Sequence, residues 1–152
     1  MGSPALAPID QPSRRWLLAV AAPSEARAIA ARLSRSSSGV ESADAYWHAQ
    51  DVNERFSLVL TGVGKANASG AVARVFDPER HSGVISIGVA GSLPESGLAL
   101  LDSVLAHESV FADEGSEHPD GFIDIGAMGF APNAGIPGQP APMAVAPSVL
   151  LT

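Results

Sequence analysis

The sequence predicts an α/β fold built on a largely parallel sheet, and three observations predict it. Trp16–Ala21 (WLLAVA), Phe56–Leu60 (FSLVL) and Gly83–Gly88 (GVISIG) are short continuous apolar runs, the pattern of strands covered on both faces. Two stretches of helical period lie between them. Strand, helix and strand therefore follow one another twice, the order that crossover connections give to parallel strands.

Each element has a local reason. The first helix is predicted over Glu25–Leu33, where Ala26, Ile29, Ala30 and Leu33 recur on one face with Arg27 and Arg32 off it. Ser24 is the expected cap, and Ser34–Gly39 (SRSSSG) is a polar break. Ala45–Gln50 reads as a short strand. Gly62, Gly64 and Asn67 turn the chain into a second helix, whose stripe is Ala68, Ala71, Val72 and Val75 and whose stop is Asp77-Pro78. Ser103–Val110 reads as a longer strand. Residues 1–15, with three prolines and no apolar period, are expected to form a mobile leader, and residues 131–152, with five prolines, an irregular tail.

Composition narrows the function. The chain has 152 residues, 46% hydrophobic and 16% charged, with mean hydropathy +0.19, which suits one folding domain. Residues 1–80 hold all 9 Lys and Arg against 8 Asp and Glu, a balance of +1, whereas residues 81–152 hold 8 acids and no base, so the acidity behind the net charge of −7 sits in the second half. A half without one basic residue cannot track a phosphate backbone, so no nucleic-acid partner is expected. No run approaches the ~20 apolar residues of a membrane helix, so no membrane partner is expected either. With no cysteine and no hydrophobic signal-peptide core at the start, a cytoplasmic protein is the expectation.

Several motifs fail on spacing. In TGVGKAN (Thr61–Asn67), a Walker loop would need glycine at Val59 and Ser or Thr at Ala66, and a dinucleotide fingerprint would need glycine at Asn67. His107-Glu108 opens a zinc motif whose second histidine is replaced by Phe111. Asp113, Glu114, Glu117, Asp120 and Asp124 lack the spacing of a calcium loop and read as a solvated loop. No metal is expected. Two places remain. Gly88–Pro94 (GVAGSLP) follows a strand, at the end where open α/β sheets bind ligands. Glu25 follows the first strand, where its plain role is to stabilise a helix N-terminus.

LLAVAAPSEARAI, LVLTGVGKANASGAV and VISIGVAGSLPESGLALLDSVLAHESVFADEG resemble, in order and spacing, segments of the nucleoside phosphorylase/nucleosidase superfamily. With the later PDGFIDIGAMGF, the chain is most similar to the futalosine hydrolase family over residues 16–130. The resemblance implies a three-layer sandwich with a central mixed, largely parallel sheet and no cofactor. It implies hydrolysis of the N-ribosidic bond of futalosine, a purine nucleoside, with release of hypoxanthine in menaquinone biosynthesis. Glu25 matches the glutamate that activates the attacking water. Val89, Ala90 and Gly91 match the strand end lining the substrate site, and Gly64 falls in the family's second glycine turn. Members commonly pair as homodimers. The family's general acid lies in a late segment that residues 1–152 do not contain. The C-terminal part of the fold is thus expected to be missing, and this chain alone is expected not to hydrolyse. A methylthioadenosine or S-adenosylhomocysteine nucleosidase and a non-catalytic purine-nucleoside binding module remain as alternatives. A phosphorylase is disfavoured, because the second half has no arginine to clamp phosphate.

Overall fold

The computed structural model describes residues 14–34, 45–106, 113–125 and 127–130. The leader up to residue 13, most of the 34–39 break, the HE–F motif at 107–111 and the tail from 131 lie outside them. The chain divides into two compact units, Met1–Ser92 and Leu93–Thr152.

The first unit is a four-stranded sheet with two helices, in the order β1 (Arg15–Val20), α1 (Pro23–Leu33), β2 (Ala49–Asp51), β3 (Phe56–Leu60), α2 (Lys65–Val75) and β4 (His81–Ser86). Spatially the strands run β2-β3-β1-β4. β3 and β4 flank β1 in parallel, and β2 joins β3 antiparallel, so the sheet is mixed and largely parallel. β1 begins at Arg15, inside the expected leader, because the Arg15 N–H donates to the Arg80 carbonyl at 2.9 Å.

Alternation along β1 and β3 divides the core. Leu18, Val20, Phe56, Leu58 and Leu60 pack with Ala26 and Ala30 of α1. Leu17, Ala19 and Val59 pack with Ala71 of α2 on the other face. The helices therefore cover opposite faces, the arrangement of a three-layer α/β sandwich. Fully buried alanines let each helix lie close to the sheet, and each buried Leu or Val contributes about 1.5–3 kcal/mol.

Three predicted elements come out differently. α1 starts at Pro23 rather than Glu25, with Ala22 as its N-cap, so Ser24 is inside the first turn and not the cap. Pro23 explains this, since its fixed φ suits the first helical position. Of the 45–50 strand region only Ala49 and Gln50 join the β2 ladder, which runs on to Asp51, and Tyr46 makes a single bridge to Leu60. The third apolar run is not covered on both faces. β4 spans His81–Ser86 and alternates, leaving Ser82, Val84 and Ser86 exposed. Among the described residues it pairs with β1 alone, and Val84, in register with Leu17, stays exposed beside the part of that face that α2 covers.

In the second unit, Ser103–Ala106, expected to begin a strand, have no regular structure and are exposed, because no strand pairs with them among the described residues. The acidic stretch is not a plain loop. β5 (Gly115–His118) and β6 (Gly121–Asp124) form an antiparallel hairpin that pairs Glu117 with Phe122 and Gly115 with Asp124. Pro119 and Asp120 form its two-residue turn, followed by Gly121 at φ +128°.

Candidate functional site

The parallel strands β1, β3 and β4 end on one edge. There the Thr61 N–H donates to the Val20 carbonyl at 2.8 Å and the Ile87 N–H to the Ala19 carbonyl at 3.1 Å. β1 lies between the other two: its chain leaves through α1 toward β3, and β4 is reached only after crossing back over β1. The crevice between β1 and β4 is therefore the topological switch point, where open α/β sheets bind ligands.

Glu25 stands at that point. As the third residue of α1 it reaches back, and its Oε2 accepts the Ala22 N–H at 3.1 Å. This satisfies one donor that a helix start leaves open, and alanine at the N-cap cannot supply the reciprocal bond. Its Oε1 accepts the N–H of Val89 at 2.8 Å, across 64 residues of sequence. One carboxylate thus ties the β1–α1 turn to the chain leaving β4. A carboxylate offers about four lone-pair positions, so these two bonds leave both oxygens able to accept further donors. Glu25 is half-buried, while Gly88, Val89, Ala90 and Gly91 are exposed.

The structure brings Glu25 to Val89, with Ala90 and Gly91 next in the same turn. It does not bring Gly64 to them. Gly64 is the N-cap of α2 beyond β3, and β3 is separated from β4 by two strand spacings, about 10 Å. Gly62 and Gly64 hold φ of +88° and +100°, which only glycine adopts without strain, so their presence is explained by the turn itself. Beside this turn Trp47 donates its indole N–H to the Thr61 carbonyl at 2.9 Å, and its ring occupies the space a side chain at Gly70 would need. A glycine inside a helix, which costs about 1 kcal/mol against alanine, is thereby accounted for.

Two residues carry more than the sequence assigned them. Gly88 opens the GVAGSLP stretch, but a Cβ there would lie only 3.0 Å from the Glu25 carboxylate, a close approach for which the sequence offers no signal beyond the glycine's place at the end of the apolar run. Asp51, unremarked in the sequence, gathers Arg15, Arg80 and the Ser57 hydroxyl at the opposite edge of the sheet. Among the described residues no group of three or more His, Asp or Glu could hold a metal ion, and no helix is long and apolar enough to cross a membrane.

Comparison with known protein families, curated proteins and solved structures gives no match.

Proposed function

We propose that this chain carries the water-activating side of an N-ribosyl hydrolase site for a purine nucleoside, on a nucleoside phosphorylase-like scaffold. By resemblance the nucleoside is futalosine and the released base hypoxanthine. One observation carries the reading: the Glu25 carboxylate sits at the switch point and is bonded to Val89, the first residue of the small-residue turn. Cleaving an N-ribosidic bond builds cationic character on the sugar and negative charge on the departing base. A carboxylate with free lone pairs beside that sugar takes a proton from the attacking water as it adds to the anomeric carbon. Val89, Ala90 and Gly91 expose backbone with little side chain, so a flat base or sugar can lie against them. Gly64 belongs to the proposed lining through the resemblance only. By resemblance the proton for the leaving purine comes from an aspartate of a late segment of the family, and a homodimer is part of the same proposal.

The protein expressed from its complete reading frame is expected to release hypoxanthine from futalosine without requiring phosphate. No release beside a working control rejects the reading, and release of adenine from methylthioadenosine instead moves it to that substrate. A second reading draws on the same two hydrogen bonds. They give Glu25 a structural task, as a non-catalytic nucleoside-binding module would have. Heat of binding with inosine or hypoxanthine, without turnover by the complete protein, favours that module.

A further inference from the structure

We propose that Gly88 is a positioning residue for Glu25: the missing side chain at position 88 is the space that seats the Glu25 carboxylate. The inference deepens the hydrolase reading and takes from it the role of Glu25, but the seating itself is a matter of packing and can be tested without turnover. A Cβ added at Gly88 would lie 3.0 Å from Glu25 Oε1, 3.3 Å from Oε2 and 3.4 Å from the carboxyl carbon. The two oxygen distances are tighter than ordinary van der Waals contact, and the third lies at its near limit.

Conformation gives no competing reason for this glycine. Gly62 and Gly64 need their positive φ, whereas Gly88 is not among the residues in that region. Gly91 differs again, since a Cβ there would meet nothing within 4 Å. Residue 88 is also held from both sides. Ile87 before it donates to the Ala19 carbonyl, and Val89 after it donates to Glu25 itself. The strand exit is therefore anchored on β1, and the group free to yield is the carboxylate. A methyl at 88 pushes it by a few tenths of an ångström along its bonds to Val89 and Ala22, and a branched side chain expels it. Because Gly88 is exposed, an expelled carboxylate finds water, so the fold survives while the base loses its place.

The test reads the Ala22 amide, which is bonded to Glu25 Oε2 but lies far in sequence from residue 88. In nitrogen–proton correlation spectra of the 152-residue chain, Glu25→Ala defines the Ala22 resonance with the bond lost. Gly88→Val is expected to move that resonance toward the Glu25→Ala position, and Gly88→Ala part of the way. The double variant Glu25→Ala/Gly88→Ala is expected to match Glu25→Ala, because a residue acting through Glu25 has nothing left to act on. An Ala22 resonance that stays at its wild-type position in Gly88→Val, while Glu25→Ala moves it, overturns the proposal. In the complete protein, Gly88→Val is expected to lower kcat roughly 10- to 100-fold with KM nearly unchanged, the scale of loss that misplacing a reacting group by about 1 Å brings, and Gly88→Ala is expected to lower it less. Unchanged kcat in Gly88→Val beside a defective Glu25→Gln also overturns it. Full activity in both variants rejects the hydrolase role of Glu25 instead, and the Ala22 resonance still decides where the carboxylate sits.

Discussion

The two edges of the sheet in the first unit each carry a carboxylate, and their partners differ in kind. At the edge where β1, β3 and β4 begin, Asp51 lies 3.5 Å from an Arg15 nitrogen and 3.5 Å from an Arg80 nitrogen, and it accepts the Ser57 hydroxyl at 2.8 Å. At the edge where those strands end, Glu25 is bonded to backbone N–H groups of Ala22 and Val89. Guanidinium partners converge on Asp51 from the starts of β1 and β4, and Arg15 also ties Asn53 through its carbonyl at 2.9 Å. That is the chemistry of closing a sheet edge. Backbone amides instead fix the Glu25 oxygens in direction and leave each able to accept a further donor. Identity of the acid does not separate the roles. The partners do.

The contrast breaks most visibly on activity. Glu25→Gln keeps the size of the side chain and one carbonyl acceptor but no longer offers a base. In the complete protein it is expected to lower kcat by roughly 10²-fold or more, the scale of general-base catalysis, with little change in melting temperature. Near-wild-type turnover would make the two carboxylates alike, both structural.

His81, at the Asp51 edge, sharpens the contrast through pH. It is buried at the start of β4, its Nδ1 accepts the Asp77 N–H at 3.1 Å, and its ring stacks on Phe76 at 5.7 Å. Burial first, then the Arg80 charge and more weakly Arg15, hold its pKa below the ordinary 6.5, against the opposing pull of Asp77 and Asp51. The unfolded chain therefore binds the proton more readily than the folded one. The stability His81 contributes is whole above pH 6.5 and is lost as pH falls through that value toward the lower folded pKa. Urea midpoints one unit above and one unit below pH 6.5 should show the loss. His81→Asn, whose side-chain oxygen can still accept the Asp77 N–H, should reduce it.

Asp51→Asn gives the smallest effect. Its ion pairs are partly exposed, with side-chain accessibilities of 44% for Asp51, 32% for Arg15 and 58% for Arg80. Solvent screening leaves such pairs about 0–1 kcal/mol, and asparagine retains an acceptor for Ser57. Chemical denaturation should place the loss below about 1 kcal/mol, with kcat of the complete protein unchanged. A loss of several kcal/mol would show Asp51 to be far better shielded from water than its exposure indicates.

The two units make a second lesson about legibility. Phe56–Leu60 appears as a strand with the predicted bounds and the turn glycines stand where expected, because strand burial and left-handed backbone are written in local residue types. The apolar residues of 93–106 carry a similar local signal but no such outcome: Leu100 is 93% exposed and Leu101 92%. A strand exists only with a partner, and the sequence does not say which residues supply one. The 113–124 hairpin was missed for the opposite reason. Its charges read as a loop, while the ladder from Gly115 to Asp124 depends on pairing that hydropathy does not report.

By itself, then, the sequence determined the α/β class, the two helices and their buried faces, the glycine turn after β3, and the charge asymmetry between its halves. These follow from periodicity, steric limits and charge, which act within a few residues or along the whole chain. Only the tertiary structure decided that α1 and α2 lie on opposite faces, that β4 is half-covered, that Asp51 gathers two arginines, and that Glu25 meets Val89. Each of these joins residues far apart in the chain, and such contacts are fixed by strand order and packing. Glu25 shows the division within one side chain. Its place in the first helical turn was legible, and its bond across 64 residues was not.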